Sequence, residues 1–157
     1  MIDCFAFLSG HQGFDFFTDY MDSSCIESKR LGYKEFTGTL YGRTADGGTL
    51  SLTSYPQGKV PFIIDISTDV LRYVICELDG KAWISEQVHN WNWEVIDFSM
   101  PYQSQLTHLA VQAILDERTC DLTSYEEACI LHVPMIKAFM KHMQHFMQEE
   151  VSVCPIT

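Results

Sequence analysis

The stretch FTGTLYGRTADGGTLSLTSYP, residues 36–56, constrains the fold of this chain more than any other. Phe36 and Leu40 alternate with Thr and Tyr, Asp46-Gly47-Gly48 supplies residues that accept positive φ, and Leu50 and Leu52 resume the alternation. That pattern predicts a β-hairpin closing on an Asp-Gly turn. A sheet begun this way needs its apolar face covered, so the rest of the chain has to supply further strands and a covering layer.

Both are legible. PFIIDIS (61–67) reads as a third strand, with Pro at its start, where a missing N–H costs the ladder nothing. VLRYVICELDGKAWISEQV (70–88) reads as a second hairpin turning at Asp79-Gly80, although its first arm also fits a helix capped at Ser67 or Thr68. NWNWEVIDF (90–98) is the next strand. Upstream, IDCFAFL (2–8) is either a strand or the lead into a helix, broken by 9–13. FDFFTDYMDSSCI (14–26) has Phe14, Phe17, Tyr20 and Met21 at helical spacing, which predicts a short helix.

After Pro101 the period changes. Leu106, Leu109, Ala110, Ala113 and Ile114 predict a helix over 103–117. Ser124 with Glu127 three residues on is a capping-box signature for another helix, which Pro134 is expected to kink or restart. From there Met135, Ile136, Phe139, Met140, Met143, Phe146 and Met147 form one apolar stripe. The expectation is α+β: an antiparallel sheet of about five or six strands, built from hairpins and covered by C-terminal helices. The 157 residues are expected to form one domain, sheet-rich over 1–100 and helical over 101–150.

Charge narrows the function. There are 21 acidic and 10 basic residues, a formal −11. Residues 29–43 are the only basic island, and 60–127 hold twelve acidic residues against three basic ones. Such a surface repels phosphate backbones and anionic membranes and attracts basic partners, so neither direct nucleic-acid binding nor membrane association is expected. Six cysteines without CxxC or metal-knuckle spacing, behind an N-terminus without a signal-peptide pattern, suggest reduced thiols in the cytoplasm.

His89, Trp91 and Trp93 fall on alternate positions, which puts two of the three tryptophans on one side of an extended segment. That row either lies under the helix of 134–148 as core or faces outward as a binding surface, with Glu86, Glu94 and Asp97 bracketing it. Together with the charge, it points to a small, non-enzymatic protein-interaction module that engages a basic protein, as inhibitors, immunity proteins and regulators do.

An enzymatic alternative rests on Asp65, at the end of an apolar strand, and on Asp79-Gly80-Lys81 fourteen residues later. This resembles the acidic-residue plus Asp/Glu-x-Lys pattern of the restriction-endonuclease-like nucleases. The resemblance covers about twenty residues and implies that Asp65 and Asp79 would hold a divalent metal while Lys81 helps activate water. It departs from that family in that Asp79-Gly80 has the composition of a hairpin tip. His142, His145 and Glu149 have spacing that can hold a metal, but dipole and solvent favour histidines at a helix end without one. His108 and His132 read as structural. Nothing resembles a nucleophile elbow, a phosphate-binding loop or a dinucleotide fingerprint, and no cofactor is expected.

Overall fold

The computed structural model describes residues 1–57, 61–118, 122–147 and 151–156. Among these residues three α-helices and seven strands follow in the order α1 (Ile2–Ser9), β1 (Asp15–Glu27), β2 (Lys34–Arg43), β3 (Thr49–Ser54), β4 (Ile63–Ser67), β5 (Leu71–Cys76), β6 (Lys81–Glu86), β7 (Trp93–Asp97), α2 (Gln103–Glu117) and α3 (Tyr125–Met147), with a short 3-10 turn between β6 and β7. The class is α+β, and every strand pair is antiparallel. The strands do not join one sheet: β1-β2-β3 form one and β4-β5-β6-β7 another. The chain packs as two compact units, Met1–Gly58 with Thr123–Thr157, and Lys59–Leu122.

In the first unit the helix expected over 14–26 is strand β1 instead. Its ladder with β2 slips twice, between Phe17 and Tyr20 and between Met21 and Cys25. The first slip inserts one residue and reverses the face that follows. Phe16 and Met21, an odd number apart, therefore sit on one face, and the two-residue period that marks a strand is lost from the sequence. Aromatic and Thr content, together with pairing to β2, outweighs the helical spacing.

Helix α3 lies against this sheet. Phe139 packs with Met21 and Leu40, flanked by Phe36, Leu52 and Met135. The Phe139 and Phe36 ring centroids are 5.0 Å apart. Beside this cluster α1 brings Ile2 against Phe14 and Leu131. The helix runs unbroken through Pro134, with no restart.

Its start is the expected capping box. The Ser124 N–H donates to Glu127 Oε2 at 2.9 Å, and the Glu127 N–H donates to Ser124 Oγ at 3.2 Å. The Ser124 backbone N–H first, and then the Ser124 side chain, hold the Glu127 carboxyl below the usual glutamate range, aided by Gln12. Asp46 is also held low, by the Thr44 hydroxyl first and then by His11. A carboxylate whose folded pKa is depressed contributes stability that is complete above its unfolded pKa and is lost as pH falls through the folded one. Urea midpoints of the parent should therefore fall on acidification through the carboxylate range. Glu127→Gln should flatten that dependence, and a parent slope unchanged by Glu127→Gln would contradict the linkage.

In the second unit β4 to β7 form a meander. The β5–β6 hairpin turns at Asp79-Gly80 as expected, with Gly80 at φ 59°. Helix α2 occupies the expected span, but Leu106, Leu109, Ile114 and Leu115 on it remain exposed. Among the described residues no helix is long and apolar enough to cross a membrane.

Candidate functional site

The tryptophans are not a simple extended row. Gln87–His89 form a 3-10 turn, and Asn90 and Trp91 both take left-handed backbone, φ 55° and 60°. Extended structure begins only at Trp93. A bulky residue in the left-handed region is uncommon and strained, so its neighbours have to hold it there. The Trp91 N–H donates to the Glu86 carbonyl at 2.9 Å, and buried Ser85 donates its hydroxyl to the Trp91 carbonyl at 2.9 Å.

The rings meet by another route. Arg72, Ser85 and Trp93 are directly paired across β5, β6 and β7, so their side chains share one face. The Arg72 guanidinium carbon lies 5.5 Å from the Trp91 ring centroid, which brings Trp91 to that face as well. The adjacent same-face row is Val74, Trp83 and Val95. All three tryptophans therefore belong to one face of the four-stranded sheet. Trp91 is 40% exposed and Trp93 52%.

The residues expected around the row are placed unevenly. His89 Nδ1 pairs with Glu86 Oε2 at 3.1 Å at the 3-10 turn, outside the extended segment. Asp97 alternates onto the tryptophan face and lies 3.6 Å from Lys81 Nζ. Glu94, one residue from Trp93, belongs to the opposite face of the same strand. Arg72 and Ser85 carry no local sequence signal that links them to the tryptophans; only the register shows it.

The nuclease-like trio does not converge. Asp65 is in β4 opposite Val74, and its Oδ1 accepts from the Ser67 hydroxyl at 3.3 Å. Asp79 is in the hairpin turn, where its Oδ2 accepts from the Cys76 thiol at 3.3 Å. Lys81 faces Asp97.

His142 and His145 are also separated. His142 is buried, packed edge-on against Phe36 and Phe146, and its Nε2 donates to the Asp22 carbonyl at 2.9 Å. Asp22 lies in the bulged stretch of β1 that has no strand partner, so His142 satisfies a carbonyl the ladder leaves open. His145 is exposed, and Glu149 lies outside the described residues. Among the described residues no three His, Cys, Asp or Glu side chains are grouped to hold a metal. His132 bonds the Ala128 carbonyl and pairs with Asp3, tying α3 to α1.

No family model matches this chain, and neither the curated proteins nor the solved structures contain a match to it.

Proposed function

We propose that the chain is an acidic protein-interaction module that binds a basic protein through the tryptophan face of its four-stranded sheet, in the manner of an inhibitor, immunity or regulatory protein. The observation that carries this reading is the exposed pair Trp91 and Trp93, with Trp91 held in left-handed backbone by Ser85 and Glu86. Tryptophan and arginine are the side chains most often found carrying binding energy, and Arg72 stands over Trp91. Strain maintained at an exposed aromatic is more easily explained by recognition than by stability. The formal −11 selects for positive partners and speeds their approach. A reducing, cytoplasmic setting fits the five unbridged cysteines among the described residues.

The experiment is affinity capture from the native host with the parent and with Trp93→Ala. An exposed site loses little fold stability on truncation, within about 0.5–1 kcal/mol. A hot-spot aromatic, by contrast, costs about 2 kcal/mol or more of binding, roughly thirtyfold in affinity. The basic protein retained by the parent should be lost from Trp93→Ala at unchanged far-UV circular dichroism. Equal retention by both would remove this face from the account.

A further inference from the structure

Strand β7 is the last strand of its sheet, and all five of its residues are exposed. The Phe98 N–H donates to the Gly80 carbonyl at 2.8 Å, which sets the phase of the β6–β7 ladder. By the alternation of an antiparallel pair, Ile96 and Glu94 direct their backbone groups toward β6, and Asp97, Val95 and Trp93 direct theirs away from it. Among the described residues nothing pairs with those outward groups. The edge has no proline and no bulge, two of the devices that usually block pairing.

It does carry charge, and the charge selects the occupant. A second copy pairing antiparallel about Val95 would set the two Glu94 carboxylates diagonally on one face, about 7–8 Å apart, and would bring no cation opposite Glu94 or Asp97. A segment bearing Lys or Arg would be opposed by Glu94, which pairs with no cation among the described residues, and would share Asp97 with Lys81 on the tryptophan face, where the exposed Trp93 ring is open to a cationic side chain. We infer that β7 is an open sheet edge that receives an extended basic segment of the partner as an added fifth strand. This rests on the interaction-module reading above and gives it a partner class and a docking mode.

The test uses the full chain and a short synthetic peptide alternating lysine with valine, together with the same peptide N-methylated at every backbone amide. The methylated form keeps the charge and loses the donors. Binding is followed by tryptophan fluorescence, since all three tryptophans share the face beside the edge. The parent peptide should bind, and methylation should weaken it about tenfold or more, as expected when a few main-chain bonds are lost together. Val95→Pro, which removes an outward donor and leaves the β6 ladder intact, should weaken the parent peptide to a similar extent.

If the methylated peptide and Val95→Pro bind as the parents do, while Glu94→Gln with Asp97→Asn weakens binding, strand addition is overturned and the basic-partner reading stands. If the charge variant also binds unchanged, both fall. Because main-chain pairing is indifferent to partner sequence, failure of the parent peptide to bind overturns strand addition, and the Trp93→Ala capture still decides the wider reading. If the chain alone dimerises and Val95→Pro makes it monomeric, a second copy is the occupant and the inference is overturned.

Discussion

Gly38→Ala should destabilise the first unit by about 2–5 kcal/mol, an unusually large loss for one added methyl group. Gly38 is in β2 at φ +88°, where any other residue is strained. A Cβ there would lie 2.6 Å from the Tyr20 carbonyl oxygen, 2.7 Å from the Asp22 nitrogen and 2.7 Å from the Met21 Cα. All three neighbours are backbone of β1 at the start of its second bulge, so no side chain can swing aside; either the bulge opens or β2 moves. Asp22 is also the residue that receives His142 and the Thr37 hydroxyl, so the disturbance reaches α3.

Gly47→Ala is the matched control. Its φ of +97° is equally unfavourable, but nothing lies within 4 Å of the added atom. It should cost only the conformational strain, about 1 kcal/mol. Urea unfolding with hydrogen exchange of β1 and α3 amides separates the two. Equal losses would mean that the close approach at Gly38 carries no weight.

Phe139→Ala should cost about 3–5 kcal/mol. The ring is 9% exposed and joins the helix to the sheet through Phe36, Met21 and Leu40. Its removal leaves a cavity that a 23-residue helix tied down along its length cannot collapse into. Met143, 1% exposed one turn on, should follow at about 2–5 kcal/mol when cut to Ala. Phe7, 83% exposed on α1, should lose almost nothing to the same change. Denaturant midpoints of the three variants rank these sites, and a Phe139 loss no greater than that of Phe7 would contradict the packing of α3 on β1.

The features legible in the sequence were those fixed by neighbours in the chain. The β2–β3 turn is closed locally by the Thr44 N–H to the Gly48 carbonyl, and Gly47 and Gly80 stand where positive φ is needed. The α2 span and the Ser124–Glu127 box are local for the same reason. What the sequence concealed depended on register. The bulges of β1 shift its apolar side chains out of period, so a strand of 13 residues resembles a helix. Two consecutive left-handed residues break the row of His89, Trp91 and Trp93, yet Trp91 returns to the face of Trp93 through Arg72, which no spacing rule connects to either. Division into two sheets is likewise invisible locally, because each hairpin is compatible with either one sheet or two.

In the function proposed above, acidity and the tryptophan face act together to recruit a basic protein. The most direct measurement is the association rate of the captured partner as a function of salt, for the parent and for the chain with Glu86→Gln, Glu94→Gln and Asp97→Asn combined. The three carboxylates are partly or largely exposed, so folding should be near normal. The screening length shrinks from about 10 Å at 0.1 M salt to about 3 Å at 1 M, and steered association slows with it. The parent should associate quickly at low salt and lose that advantage as salt rises. The variant should start slower and depend less on salt. A parent rate that ignores salt, matched by the variant at every concentration, would show that the negative charge serves only solubility and would contradict the account.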